Sequence, residues 1–243
     1  MDLAATASRL LLDPVLAVVF PTRCPACAAS LPSPRRGPLC EPCWAALPRH
    51  REPCCGCGAP LPSGGTSCGR CRRGLSVFSA GASLGPYDGA LRVAVHELKY
   101  RCRRRVAGRL SEVMLGLPRV RQVLAGAAAL VPVPLHPRRT RTRGFNQSEL
   151  LARELGGRAG IRTATGALVR RQDTPPQTGL SAAARRANVR GAFAVRHVSQ
   201  VAGKAVVLVD DVLTTGATAS ACARALKAAG AREVRLLTVA RVV

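Results

Sequence analysis

Long apolar runs and aromatic side chains are both scarce in this chain of 243 residues. No run of about 20 uncharged apolar residues occurs, so no membrane span is predicted. The first twenty residues carry Arg9 and Asp13 and lack a basic leading region. That pattern favours an amphipathic helix over residues 1–21 of a cytoplasmic protein rather than a signal peptide. Aromatic residues make up only 3% of the chain, which leaves few platforms on which the bases of single-stranded DNA can stack.

Carboxylates and lysines are scarce as well. The chain has 13 acidic against 37 basic residues, a formal net charge of +24, and only three of the basic residues are lysines. Arginine binds phosphate groups in a bidentate geometry, although a strong arginine bias also arises from genome composition. The charge therefore predicts solubility and affinity for polyanions, and it leaves open whether a dedicated nucleic-acid surface exists.

Cysteine, by contrast, is abundant, and most of it follows one spacing. Eight of the eleven cysteines form four C-x₂-C knuckles: Cys24, Cys27, Cys40, Cys43, Cys54, Cys57, Cys68 and Cys71. Two knuckles supply the four thiolates of a closed tetrahedral zinc site, so the spacing predicts two structural Zn²⁺ sites. Sequential pairing of the knuckles is preferred, and a cross-braced pairing fits the same spacings. Because the segment has few large apolar residues beyond Trp44, metal would supply its folding energy, on the order of 10 kcal/mol per site.

Composition divides the chain into three predicted parts: an N-terminal helix over 1–21, a double zinc ribbon over 22–74, and an α/β domain over 75–243. In the third part, apolar runs of strand length alternate with helical patterns, as in an open, mainly parallel sheet flanked by helices. One helix is expected to begin near Asn146 and to end near Leu155, where two glycines would stop it.

The stretch over residues 204–218 carries the clearest functional signal. An unbroken, β-branched apolar run predicts a parallel strand that is covered on both faces. Asp210 and Asp211 come at its carboxyl end, where open α/β sheets bind their ligands. The small residues that follow open a helix, so their backbone N–H groups can approach an anion closely. The stretch therefore combines carboxylates that can bind hydroxyls or a metal with backbone amides that can bind a phosphate. This combination predicts a binding site for a phosphorylated sugar.

Two other nucleotide sites are excluded by missing motifs. An apolar strand ending in two aspartates is also found in nucleoside triphosphatases, but this chain has no G-x-x-x-x-G-K-[ST] loop to hold the phosphates. A dinucleotide site requires G-x-G-x-x-G after a strand, whereas Gly56 and Gly58 lie within a cysteine knuckle.

Residues 207–218 resemble the motif with which type I phosphoribosyltransferases bind 5-phosphoribosyl-1-pyrophosphate (PRPP). The chain further resembles the ComF/GntX family of competence-associated proteins over nearly all of residues 20–243. The features that carry this second resemblance are the double zinc ribbon, Lys99-Tyr100, Arg143-Gly144-Phe145-Asn146-Gln147, Gln177-x-Gly179-Leu180-Ser181, and Arg186-x-Asn188-Val189. It implies the type I phosphoribosyltransferase fold with an N-terminal zinc-ribbon module, and a link to DNA uptake.

The resemblance also implies roles for single residues. Asp210 and Asp211 would bind the ribose hydroxyls, directly or through Mg²⁺, and stabilise an oxocarbenium-like state. The 5′-phosphate would lie in the loop formed by Thr214, Thr215, Gly216, Ala217 and Thr218. Candidate contacts on the pyrophosphate or substrate side are Lys99, Arg143, Asn146 and Gln147. Residues 172–188 would close over the site and exclude water.

One position departs from the purine-salvage members of the superfamily. In those enzymes the phosphate loop begins with an aspartate that acts as a base toward the purine, and here that position is Thr214. The departure argues against a hypoxanthine- or guanine-type acceptor.

Two functions therefore remain as hypotheses. One is a phosphoribosyltransferase that transfers phosphoribosyl from PRPP to an unidentified acceptor and releases pyrophosphate. The alternative is a non-catalytic adaptor for DNA processing that binds single-stranded DNA or competence proteins through its basic clusters and zinc ribbons, with a steep dependence on salt. The sequence does not indicate the oligomeric state.

Overall fold

We describe the protein from a computed structural model, over residues 23–31, 38–50, 53–61, 64–74, 76–100, 104–172, 181, 184 and 187–242. The predicted N-terminal helix lies outside these residues, as does most of the segment expected to act as a lid. Within the described ranges, no helix is both long enough and apolar enough to cross a bilayer.

The centre of the molecule is a sheet of four parallel strands. In chain order the strands of the protein are β1 (Gly81–Pro86), β2 (Ala129–Pro132), β3 (Leu168–Arg170), β4 (Phe193–Val195), β5 (Ala205–Leu213) and β6 (Glu233–Arg241). The order across the sheet is β1-β6-β5-β2, and each neighbouring pair is parallel. β3 and β4 form a separate antiparallel pair. The predicted open, mainly parallel sheet is therefore confirmed.

Helices cover both faces of this sheet. The helices of the described residues are α1 (Glu41–Ala45), α2 (Gly69–Arg72), α3 (Gly89–Tyr100), α4 (Arg104–Leu115), α5 (Pro118–Leu124), α6 (Pro137–Arg143), α7 (Gln147–Ala159) and α8 (Ala217–Ala228). Successive side chains of a strand point to opposite faces. Val207 and Val209 of β5 accordingly pack in one apolar cluster with α3, α4 and α7, whereas Val206 and Leu208 pack in a second cluster with α8. Burial on both faces explains why the β5 sequence is an unbroken apolar run.

The structure corrects the predicted end of the helix that follows Asn146. α7 continues through Gly156 and Gly157 to Ala159 and ends at Gly160, which adopts the left-handed conformation (φ 68°). Gly156 is required inside the helix because a Cβ there would overlap the carbonyl oxygen of Ile161. Gly156 thus serves a close backbone approach, and neither of the two glycines stops the helix.

The zinc-ribbon segment is joined directly to the edge of the sheet. The N–H of Gly81 in β1 donates to the carbonyl of Cys55 (3.0 Å), and the N–H of His50 donates to the carbonyl of Leu84 (3.2 Å). Trp44 is only 2% exposed and belongs to the same apolar cluster as Leu84. The ribbon residues and the sheet thus share one core, and the ribbon covers an edge strand that would otherwise present unpaired backbone groups.

Candidate functional site

The eight knuckle cysteines form two separate clusters. In each cluster the four sulfur atoms all lie within 4.8 Å of one another, and the members are Cys24, Cys27, Cys40 and Cys43, then Cys54, Cys57, Cys68 and Cys71. The two predicted Cys₄ zinc-binding sites are therefore present, with the sequential pairing and not the cross-braced one. Four thiolates at this spacing are the donor set of a closed structural zinc site.

Backbone amides prepare the first cysteine of each cluster to bind as a thiolate. The N–H of Cys40 donates to the sulfur of Cys24 (3.5 Å), and the N–H of Cys68 donates to the sulfur of Cys54 (3.2 Å). Burial by itself raises the pKa of both thiols, but these and neighbouring N–H groups outweigh it and lower each pKa to about 6. Cys55 stands between two ligands, is exposed, and lies 3.2 Å from the Ser67 hydroxyl, outside the cluster.

The two aspartates are the sixth and seventh of the nine residues of β5 and therefore lie within the strand rather than after it. Asp210 is 9% exposed and Asp211 is 4% exposed. The N–H of Asp211 donates to Asp210 Oδ1 (2.9 Å), and the N–H of Val212 donates to Asp211 Oδ1 (2.6 Å). These bonds fix both carboxylates at the carboxyl end of the central strand.

Side chains from two helices hold the aspartates on either side. The Ser148 hydroxyl of α7 donates to Asp210 Oδ1 (2.9 Å), and Lys99 Nζ at the end of α3 lies 3.2 Å from Asp211 Oδ2. Lys99 was predicted from the sequence as a site residue, whereas Ser148 was missed. The available signal was its place two residues after Asn146, which caps α7 by accepting from the Ser148 N–H (3.0 Å).

The remaining predicted substrate-side residues gather around the same helix start. Asn146 Nδ2 donates to the carbonyl of Val133, just after β2 (3.0 Å), and Arg143 donates to Gln147 Oε1 (2.8 Å). The guanidinium of Arg143 also lies over the ring of Tyr100, 5.4 Å from its centroid. The structure therefore places Lys99, Arg143, Asn146 and Gln147 in one neighbourhood with the aspartates.

The predicted phosphate loop forms the turn between β5 and α8. Gly216 adopts a left-handed conformation (φ 75°) as the residue that precedes α8, a conformation that glycine adopts at little cost. The Thr215 hydroxyl accepts from the N–H of Ala217 (3.4 Å). Thr214 is exposed, and Thr215, Gly216 and Thr218 are partly exposed. The start of a 12-residue helix therefore faces an open surface beside the aspartates, which suits an anion.

The charged groups around the two buried aspartates shift the pKa values of Asp210 and Lys99. Burial raises the pKa of Asp210 to about 7, and the negative charge of Asp211 acts in the same direction. Burial of Lys99 works against its charge, but the ion pair with Asp211 outweighs this and leaves the lysine pKa above its ordinary value. Neutral pH therefore lies close to the pKa of Asp210, while Lys99 stays charged beside Asp211.

Asp210→Asn should make the protein more stable than the parent at about pH 8, and this advantage should shrink toward about pH 5.5. The folded-state pKa of Asp210, about 7, exceeds the ordinary value of 3.8. The folded chain therefore binds this proton more tightly than the unfolded chain, and the free energy of unfolding falls as the pH rises through that window. Urea unfolding of both proteins across the range measures the difference, with Asp88→Asn at an exposed position as control. A stability difference that does not change with pH would contradict the assignment.

Comparison with known proteins gives matches to both parts of the chain. A family model of the double zinc ribbon domain matches residues 15–72, and a family model of the phosphoribosyl transferase domain matches residues 141–242. With the parallel sheet and the two Cys₄ clusters, these matches confirm the predicted fold: a phosphoribosyltransferase-type α/β domain with an N-terminal zinc-ribbon module.

Curated relatives match most of the chain. The DNA utilization protein YhgH of Escherichia coli (strain K12) is 34% identical over 176 residues, which cover 71% of this chain and 77% of that one. The protein of the same name from Salmonella typhi has the same identity and coverage. Competence protein F of Haemophilus influenzae is 36% identical over 114 residues, 46% of this chain and 50% of that one.

Among solved structures, a similar chain is the glutamine PRPP amidotransferase from B. subtilis complexed with ADP and GMP. It is 23% identical, with a TM-score of 0.40, and the match covers 59% of this chain and 30% of that one. The chain thus matches less than a third of that protein's length.

Proposed function

Because this chain belongs to the ComF/GntX family, with the DNA utilization protein YhgH and competence protein F as relatives, we propose that it binds PRPP as a phosphoribosyltransferase. It transfers the phosphoribosyl group to an acceptor and releases pyrophosphate. The observation that carries the proposal is the arrangement on β5 and α8: two buried carboxylates at the strand end, followed at once by an anion-binding turn. The spacing suits a sugar ring on the carboxylates and its 5′-phosphate on the turn.

The aspartates act on the ribose in this proposal. Asp210 and Asp211 bind its 2′- and 3′-hydroxyls, and their negative charge stabilises the positive charge that develops at C1. The bond from C1 to the pyrophosphate oxygen breaks with its electron pair on pyrophosphate. A bond from the acceptor nucleophile to C1 forms, and the acceptor's proton passes to solvent.

The cations near the aspartates act on the departing group. Lys99, at the end of α3, lies 3.2 Å from Asp211 Oδ2, and Arg143, at the end of α6, donates to Gln147 in the helix that carries Ser148. The donors present also fit Mg²⁺, which prefers carboxylate oxygens, and the two aspartates supply them. When bound with PRPP, this ion would neutralise pyrophosphate charge.

The biological setting follows the names of the relatives. A DNA utilization protein and a competence protein are both similar in sequence to this chain. We therefore place the activity in the handling of DNA taken up by the cell.

A second candidate is a non-catalytic adaptor that binds single-stranded DNA. One observation favours it: Tyr100 is 64% exposed, with the ring of His96 at 4.6 Å on one side and Arg143 nearby. An exposed aromatic ring beside a guanidinium is a platform on which a base can stack. In this role Asp210 and Asp211 would have no part in binding.

Calorimetric titration with PRPP tests the first proposal. We expect saturable binding that needs Mg²⁺, because the pyrophosphate and the carboxylates repel one another without a cation. Ribose 5-phosphate is the matched control, since it keeps the 5′-phosphate and lacks pyrophosphate, and it should bind more weakly. Absence of PRPP binding, with tight and salt-dependent binding of single-stranded DNA, would replace the transferase with the adaptor.

A further inference from the structure

A large cavity lies next to chain segments that surround the aspartates, and its described lining includes neither aspartate and no residue of the phosphate turn. Its volume is about 1150 Å³, and it lies between the segment from β2 through α6 and the antiparallel pair β3–β4. Cavities that bind small molecules measure roughly 300–1,000 Å³. This one is therefore large enough to hold a whole second substrate.

The wall of the cavity is strongly basic. Among the described residues, three exposed arginines line it, Arg141, Arg171 and Arg196, against one carboxylate, Glu149. Glu149 is already engaged, because Arg153 Nη2 lies 2.6 Å from its Oε1. Arg141, Arg171 and Arg196 have exposed side chains that can turn toward a ligand. This excess of positive charge among the described residues favours an anion, and guanidinium groups bind carboxylate and phosphate with two parallel hydrogen bonds.

The rest of the wall is largely apolar. Leu135, Leu168, Val169 and Val195 contribute to it, together with prolines that follow β2. A ligand that fits must therefore carry an apolar or planar body as well as its anionic group. A free inorganic anion would leave most of this surface exposed to water.

The cavity shares residues with the elements that surround the aspartates. Pro132 lines it and is paired across the sheet with Val209, the residue before Asp210. Asn146 also lines it, and the α7 turn that Asn146 begins supplies Ser148, which bonds to Asp210. On its other wall, β4 packs against α8, the helix that begins at the phosphate turn. A molecule in the cavity thus borders the site of the sugar.

We propose that this cavity is the acceptor site and that the acceptor is an organic anion, an apolar or planar body bearing a carboxylate or a phosphate. The inference rests on the proposed transferase function and adds the class of its second substrate. Arg141 approaches the anion from α6, while Arg171 and Arg196 approach from the two ends of the β3–β4 pair. The N–H of Arg171 donates to the carbonyl of Ala192 (2.8 Å), and the N–H of Arg196 donates to that of Ala167 (2.7 Å), which fixes both arginine backbones.

The test uses two pairs of probes that differ only in the anionic group. Orotate is compared with uracil for a carboxylate, and AMP with adenosine for a phosphate, by calorimetry with and without Mg²⁺ and PRPP. Retaining PRPP in one arm keeps the phosphate turn occupied, so that AMP binding reports on the cavity. We expect at least one anion to bind more tightly than its neutral partner, and the pair that does so identifies the anionic group.

The matched variants both remove three positive charges. Replacing Arg141, Arg171 and Arg196 by glutamine should weaken binding of the anion by at least about tenfold, while the affinity for PRPP stays that of the parent. Arg162, Arg224 and Arg232 are exposed and lie outside the cavity wall. Replacing these three by glutamine should change neither the affinity for the anion nor the affinity for PRPP. Equal binding of charged and neutral probes, no binding of either anion, or an undiminished affinity in the first variant would overturn the inference. Failure of the transferase proposal is distinct, because it appears as loss of PRPP binding in the parent.

Discussion

Replacing both Asp210 and Asp211 by asparagine should lower the affinity for PRPP in the presence of Mg²⁺ by at least roughly a hundredfold. Hydrogen bonds to charged groups contribute about 1.5–3 kcal/mol each, so losing two carboxylates removes about 3–6 kcal/mol. Asparagine keeps the size of the side chain and the bonds from the backbone amides at Oδ1. What it removes is the negative charge that would bind Mg²⁺ and balance the sugar cation.

The fold should survive this change. Asp210 costs stability at neutral pH because its buried carboxylate stands next to a second one. Lys99 loses its partner, but its side chain is 20% exposed and can reach solvent at the end of α3. Calorimetry measures PRPP affinity and circular dichroism measures folding, with Asp88→Asn as the control for lost charge. Unchanged PRPP affinity in a folded double variant would remove these carboxylates from the site and favour the adaptor.

Features of the fold and the site could be predicted from the sequence wherever a single local pattern determines both the structure and the chemistry. The four C-x₂-C knuckles predicted the metal clusters because ligand spacing is a property of a few consecutive residues. The apolar run ending at Asp210 predicted a central buried strand because only a strand covered on both faces needs such a run. The turn at Gly216 was predictable for the same reason, since it follows directly on the strand.

The contacts that depend on distant segments were not predictable. Ser148 and Asp210 are 62 positions apart, and nothing local marks a serine in the first turn of a helix as the partner of a buried carboxylate. The role of Gly156 appears only when the chain beyond it, at Ile161, returns to the helix. The basic cavity likewise joins α6 to the pair β3–β4, whose three-residue strands are too short to give a periodic pattern.

The junction between the ribbon and the sheet also depends on distant segments and was not predictable. It extends the expected effect of zinc from the stability of the ribbon to the stability of the sheet. Composition alone predicts that metal folds the ribbon itself. In the structure, the carbonyl of Cys57 accepts from Arg241 of β6 (3.1 Å), and that of Cys55 accepts from both Gly81 and Arg119. A Cβ at Gly85 of β1 would overlap the carbonyl oxygen of Pro48. Knuckle and strand are packed too closely for one to unfold while the other keeps its core.

Loss of one zinc ligand should therefore destabilise the α/β domain together with the ribbon. Each structural zinc contributes on the order of 10 kcal/mol to folding, comparable with the whole stability of a typical domain, about 5–15 kcal/mol. Cys54→Ser should halve the zinc content and lower the urea midpoints of unfolding and of PRPP binding together, although no ligand of that cluster contacts Asp210 or Asp211 among the described contacts. The single tryptophan, Trp44, lies near the other cluster. Its fluorescence reports whether that part of the ribbon unfolds at the same urea concentration as the α/β domain.

The neighbouring residue provides the control for this experiment. Cys55→Ser changes a thiol of the same knuckle that is no ligand, so zinc content, unfolding midpoint and PRPP affinity should all match the parent. Zinc is measured by elemental analysis, and the Trp44 transition is compared with the loss of PRPP binding along one urea series. If Cys54→Ser lost its zinc and yet kept the parent's unfolding midpoint and PRPP affinity, the ribbon would be an independent module. Coincident transitions at a lower urea concentration would instead mean that zinc stabilises the sheet, and with it the site at the carboxyl end of β5, through the edge formed by β1.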